Sequence, residues 1–275
     1  MDSNIFRVIT DLELKLPLYV TSAGGWNNQE AMDRPDGFPD YQWIQTWSGT
    51  GQLELKDKTY TVGPGQGMLL YAREAHRYHP VREPWTVRWV SFNGAQAASM
   101  LASFRFEASQ VLYLTNPGSL WNKLHDIQTV LRAQDPLGSI ECSSLTYQLL
   151  LDLFLYASTS EVRSKQQHFE QLGPVFTYIA ENYDKTVTLE EMAQQLGVTP
   201  QHTCLLFQQT LGMRPFAYLT RYRLRKAKEL LLQEQLEVRE IAKRVGYEDT
   251  SYFIKLFKRQ EGVTPIRFRK LHGLP

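Results

Sequence analysis

EIAKRVGYEDTSYFIKLFKRQEGVT, from Glu240 to Thr264, decides how the C-terminal part of this chain folds. Ile241, Ala242 and Val245 form a short apolar stripe that Gly246 ends, and Asp249 or Thr250 stands where a second helix needs a cap. In that second helix Tyr252, Phe253, Leu256 and Phe257 follow the i, i+1, i+4, i+5 spacing of a buried side. The opposite face carries Thr250, Ser251, Lys255 and Lys258, donors of the kind that meet phosphates and base edges. Two helices around a tight turn are expected. Alone, the pattern fits a DNA-binding unit or any small helical hairpin.

Upstream, the pattern recurs. Ala193 and Gly197 return as Ala242 and Gly246 after 49 residues, while Phe207, Gly212 and Pro215 return as Phe257, Gly262 and Pro265 after 50. Thr188 and Glu191 have capping-box spacing, and Thr199 caps a further helix with Pro200 in its first turn. Two helix-turn-helix units follow, in which Ala permits a close helix crossing, Gly stops a helix and Phe fills a small core. A long helix from Phe216 to Leu232 joins them. Its apolar series Leu219, Leu224, Ala227, Leu230 and Leu231 is interrupted by Arg221, Arg223, Arg225, Lys226 and Lys228, a positive side open to phosphate or to solvent. Duplication matters because two similarly oriented second helices can enter successive major-groove segments.

Composition allows this and excludes other classes. The chain has 275 residues, enough for two medium domains. Its net charge of +1 hides a division: from Glu170 onward there are 16 Lys/Arg against 12 Asp/Glu, and before it 14 against 17. That modest basic excess permits a nucleic-acid surface in the C-terminal part. With neither a signal-peptide pattern nor a membrane-length apolar run, a soluble cytoplasmic protein is expected. Cys142 and Cys204 lack metal-ligand spacing and read as free thiols.

The first half has a different period. Short strands are predicted at Leu18 to Ser22, Gln42 to Ser48, Gly51 to Leu55, Lys58 to Val62, Gly67 to Tyr71 and Val87 to Phe92, separated by turns such as Gly49-Thr50-Gly51, Asp57-Lys58 and Gly63-Pro64-Gly65. Such spacing predicts a small antiparallel β-barrel or double-sheet jelly roll with a lined interior. Trp26, Arg34, Tyr41, Trp43, Trp47, Tyr78, Trp85 and Trp89 are candidate lining groups for a sugar or similar polyol, although aromatics in a small barrel are mostly core. Arg34 could hold hydroxyls or a carboxylate in fixed geometry, or pair with Asp33 or Asp36. His76 and His79, three residues apart, lie on opposite faces of a straight strand and no third metal ligand follows; polar rim positions suit them better. No cofactor is implied, and no nucleophile with base and orienter marks an enzyme.

From about Gly118 two helical stripes are predicted. Leu120, Leu124, Ile127, Val130 and Leu131 make one; Ile140 to Tyr156 makes the other, with a turn at Pro136-Leu137-Gly138. They would pack on the barrel or form a subunit interface. Ser158 to Gln167 reads as a polar linker, which divides the chain into 1–168 and 169–275. Met1 to Pro17 is either a mobile arm or an edge segment.

LEEMAQQLGVT at Leu189 to Thr199, GMRPFAYLTRYRLRKAKELL at Gly212 to Leu231 and EIAKRVGYEDTSYFIKLFKRQEGVTP at Glu240 to Pro265 resemble the AraC/XylS family of bacterial transcription regulators. The stretch from Arg34 to Tyr78, with EPWTVRWVSF at Glu83 to Phe92, also resembles the family's cupin-like, sugar-sensing domain. The resemblance implies a homodimer with a mobile N-terminal arm, a sensor for a small molecule, promoter double-stranded DNA as partner and contact with RNA polymerase. It places Arg34, Tyr78 and Trp89 in the sugar pocket, with Val87 where the arabinose-sensing member has a histidine. It places DNA contacts at Gln201, Cys204 and Leu205 in the first unit, with Gln208 on the same side, and at Thr250, Ser251, Ile254 and Lys255 in the second, beside Lys258. Leu205 replaces the usual basic residue, so the first unit is expected to contribute less electrostatic binding.

Overall fold

The structure is a computed structural model that describes residues 3–56, 58–133, 135, 137–159, 165–233 and 236–272. Residue contacts divide the chain into two compact units, 1–166 and 167–275. The centre of the predicted linker, residues 160–164, and the turn residues Asp57 and Pro136 lie outside the described residues.

The first unit begins with strand β1 (Ser3–Phe6) and helix α1 (Asp11–Lys15), followed by β2 (Tyr19–Trp26), β3 (Met32–Arg34), β4 (Tyr41–Leu55), β5 (Lys58–Val62), β6 (Gln66–Leu70) and β7 (His76–Asn93). Then come α2 (Ala97–Ser103), β8 (Gln110–Leu114), α3 (Pro117–Ala133), α4 (Gly138–Tyr156) and the short β9 (Ala157–Ser158). All pairings are antiparallel, in the order β1-β2-β7-β4-β6-β8-β9, with β3 also on β7 and β5 also on β4. This corrects the expected barrel or double-sheet jelly roll. One nine-stranded sheet runs from β1 to β9, and no pairing among the described residues closes it.

The reason lies in two strands longer than any predicted. β4 pairs with β7 in two blocks, Tyr41–Thr46 against Val87–Phe92 and Gly51–Glu54 against Arg77–Pro80, with register shifts between them. Gly49, expected in a turn, is instead an irregularity inside β4. Its φ is +74°, and a Cβ there would stand 2.2 Å from the Pro84 carbonyl oxygen. The paired ribbon thus bends without ending, and each sheet face buries its own cluster. One face packs Trp43, Leu69, Val90 and Phe92 under Leu120, Leu124 and Ile127 of α3 and Leu149, Leu150 and Leu153 of α4. The other encloses Ile44, Leu53, Val62, Met68, Leu70, Tyr78, Trp85 and Val87. With both faces covered, apolar burial is satisfied without the sheet edges meeting.

The second unit is helical: α5 (Lys165–Asn182, beginning before the boundary), α6 (Leu189–Leu196), α7 (Pro200–Leu211), α8 (Pro215–Gln233), α9 (Val238–Arg244), α10 (Thr250–Glu261) and α11 (Pro265–His272). Pro174 lies inside α5. Thr188 and Glu191 form the predicted capping box, and Gly197, Gly212 and Gly262 are left-handed C-caps at φ +63°, +67° and +77°. Asp249, not Thr250, caps α10: its Oδ1 accepts from the N–H groups of Ser251 (2.7 Å) and Tyr252 (3.1 Å).

The change of offset between the two copies has a structural origin. Val198 N–H donates to Ala193 O, and Tyr247 N–H donates to Ala242 O, so these pairs correspond at 49 residues. The caps Thr199 and Asp249 correspond at 50, which makes Glu248 the inserted residue of the second turn. α8 spans both small cores: Leu219 packs with Val175, Ile179, Leu206 and Phe207, whereas Leu224, Ala227 and Leu231 pack with Ile241, Ala242, Phe253 and Phe257.

Candidate ligand cavity and DNA-facing helices

On β2, β3 and β7 the chain brings four of the expected ligand residues around one cavity of about 130 Å³: Trp26, Arg34, Tyr78 and Trp89. β3 matters here because it seats Arg34 beside His76 and Met32 beside Tyr78 on β7. Burial lowers the His76 pKa, with Arg34 adding to the effect, so the imidazole is neutral near pH 7. Arg34 then supplies the formal charge among the described lining residues, and its guanidinium lies 5.5 Å from the Phe38 ring centroid. Burial also pushes the Tyr78 phenol up to about 12, which keeps its hydroxyl protonated and able to donate.

The lining includes polar groups that sequence reading missed. Ser22, Gln29 and Gln42 reach the cavity although all three are buried. The Gln42 amide donates to Ser91 Oγ (2.9 Å), and the Gln29 amide to Glu30 O (2.9 Å), which orients both side chains. The N-terminal segment completes the wall: β1 pairs with β2 from Ser3↔Gly25 to Phe6↔Ser22, and Asn4 and Phe6 line the cavity. Gly24 allows this close approach. A Cβ there would lie 2.2 Å from Ser3 O and 2.7 Å from Trp89 Cζ2.

Other candidates lie elsewhere. Trp43 is fully buried in the helix-side cluster, against Gly67, and Trp47 is 52% exposed and stacked on Trp121 at 4.9 Å. Trp85 is buried, its indole donating to Thr46 Oγ1 (3.0 Å), while Tyr41 stacks on Phe92. Val87 is buried with Ile44 and Tyr78. His79 Nδ1 lies 3.6 Å from Glu54, and no group of three His, Cys, Asp or Glu among the described residues could hold a metal ion.

In the second unit, α7 and α10 present matching faces. Gln201, Cys204, Leu205 and Gln208 of α7 correspond to Ser251, Ile254, Lys255 and Lys258 of α10, and each is exposed or partly exposed. Thr203, Leu206 and Phe207, like Phe253, Leu256 and Phe257, point into the cores. Tyr252, expected on the buried side, is instead 55% exposed. The two faces differ in charge: α10 carries Lys255, Lys258 and Arg259, while α7 carries no Lys or Arg. The basic series of α8 is largely committed internally. Arg223 donates to the carbonyls of Tyr183 (2.7 Å) and Lys185 (2.6 Å), and Lys228 pairs with Glu261 at 2.9 Å. Lys226 pairs with Glu229 at 2.8 Å.

Two independent family matches fall on these two sites. An AraC-like ligand-binding domain matches residues 19–156, and a helix-turn-helix domain matches residues 192–271. The chain belongs to the AraC/XylS family of transcription regulators. It is therefore a DNA-binding transcription regulator and not an enzyme. Among its relatives, the raffinose operon transcriptional regulatory protein RafR of Pediococcus pentosaceus is 28% identical over 70% of each chain. The lactose operon transcription activator of Staphylococcus xylosus is 26% identical over 80% of each. The arabinose operon regulatory protein of Escherichia coli is 23% identical over 86% of this chain and 83% of its own. Among the described residues, no helix is long and apolar enough to cross a membrane.

Proposed function

We propose that this AraC/XylS regulator senses a sugar, or one terminal unit of an oligosaccharide, in the Arg34 cavity, and that occupancy alters how a homodimer presents its DNA-binding helices to a promoter. The observation that carries the reading is the chemistry converging there: the Arg34 guanidinium, the amides of Gln29 and Gln42, the hydroxyls of Ser22 and Tyr78, and the indoles of Trp26 and Trp89. Hydroxyl-binding groups beside flat apolar faces suit a polyol ring. A cavity of about 130 Å³ falls below the roughly 300–1,000 Å³ of drug-sized sites, which favours a single ring. The names of the relatives, which refer to raffinose, lactose and arabinose operons, support the same class.

In this reading residues 1–168 sense the ligand and dimerise, and residues 169–275 bind DNA. Gln201, Cys204, Leu205 and Gln208 meet one groove segment; Thr250, Ser251, Ile254, Lys255 and Lys258 meet the next. Tethering through the sensor raises the local concentration of paired DNA-binding units, and RNA polymerase is a further partner at the promoter. The test is thermal shift of the full chain against monosaccharides and plant-derived oligosaccharides, with Arg34→Ala as control. A saturable rise in Tm that Arg34→Ala abolishes is expected. A folded protein that responds to no sugar would remove the sugar assignment and direct attention to non-sugar effectors.

A further inference from the structure

A second cavity, of about 250 Å³, shares Trp26 with the Arg34 cavity and is lined from β2, β7 and α3. Arg88 and Arg132 reach it from β7 and α3, and among the described residues no Asp or Glu lines it. Among the described residues neither guanidinium has a carboxylate partner. Arg88 donates to Trp121 O (3.4 Å) and lies 4.4 Å from the Trp121 ring centroid, and Arg132 donates to Ser3 Oγ (3.0 Å). Arg88 is half-buried, and burial together with the charge of Arg132 lowers its pKa from the ordinary value. Two cations that repel each other across a cavity without a counter-charge form a place where an anion is stabilised. Two indoles, Trp26 and Trp121, line the same space.

We propose that this cavity binds a sugar bearing an anionic group, phosphate or carboxylate, with Arg88 and Arg132 holding the charge and the indoles of Trp26 and Trp121 covering the ring. Guanidinium forks match either anion, and aromatic faces favour a ring over a bare ion.

Isothermal titration of the full chain with glucose 6-phosphate, glucuronate, inorganic phosphate and glucose tests this. Saturable binding of glucose 6-phosphate or glucuronate is expected, tighter than inorganic phosphate, and whichever binds identifies the anion. Arg132→Gln, at an exposed position, should weaken it about tenfold or more, and Arg88→Lys, which keeps the charge but loses the fork, should weaken it less. Arg34→Gln should leave it unchanged, which separates this site from the sugar cavity. The proposal falls if neither anionic sugar binds, if inorganic phosphate binds as tightly, if Arg132→Gln has no effect, or if Arg34→Gln is equally damaging. Its failure would leave the reading of the Arg34 cavity standing.

Discussion

Gly24→Ala tests whether the N-terminal strand is held by the geometry of a single residue. The added Cβ would meet Ser3 O at 2.2 Å and the Trp89 indole at 2.7 Å. A Trp89 side chain can rotate, but the Ser3 carbonyl is backbone, fixed by the pairing of Ser3 with Gly25 and Asn4 with Gly24. The cheapest relief is therefore detachment of β1, a four-residue edge strand. Overpacking of this kind costs roughly 1–3 kcal/mol, which raises the detached fraction about 5- to 150-fold. Trypsin reads that fraction at Arg7, whose side chain is otherwise held by Ser139 Oγ (2.6 Å) and Asp135 O (3.3 Å). When reclosing outpaces cleavage, the rate follows the open population. Faster cleavage after Arg7 is expected in Gly24→Ala, and the acceleration should persist when Trp89 is also changed to Ala, because the backbone clash remains. An unchanged rate at Arg7, or acceleration abolished by Trp89→Ala, would refute the reasoning.

Three further outcomes follow from the same geometry. Leu205→Arg should tighten DNA binding and steepen its dependence on log salt by about 0.9, while Lys255→Gln should flatten it by about as much; gel-shift titrations across a salt series measure both, and an unchanged slope for Leu205→Arg would show that α7 has no electrostatic deficit. Arg223→Ala leaves the carbonyls of Tyr183 and Lys185 without their guanidinium donor and should destabilise the helical unit by about 2–3 kcal/mol in denaturant unfolding. Glu13 is 3% exposed; burial raises its pKa, but hydrogen bonds from Ser139 and Thr10 outweigh this and lower it from 4.5 to about 2. A depressed carboxylate contributes stability above its unfolded value that is lost as pH falls through the folded one, so Glu13→Gln should lower Tm at neutral pH by an amount that shrinks between pH 4.5 and 2.

The duplication made the helical unit legible because each repeated residue answers a local demand. Gly197, Gly212 and Gly262 sit at positive φ, and Phe207 and Phe257 fill equivalent cores. Local rules misplaced Tyr252, which the i, i+1, i+4, i+5 spacing assigns to the buried side and which the folded helix leaves mostly exposed. Nor did they identify the partners of Arg223 and Lys228, which come from segments 38 to 40 and 33 residues distant. In the sheet, the signal was short runs bounded by turn residues, which marks strands without saying which side chains face inward. From Gln42 to Thr46 every residue of β4 is buried, so Gln42 looked no different from a solvent-facing amide, and the polar half of the cavity went unseen. Gly49 ended a predicted strand where the real one only bends. That bend lets β4 and β7 cover their own inner cluster, and a sheet sealed by bending needs no closure into a barrel. Because it remains open, its first edge is free to be β1, which is both the last strand on that side and a wall of the ligand cavity.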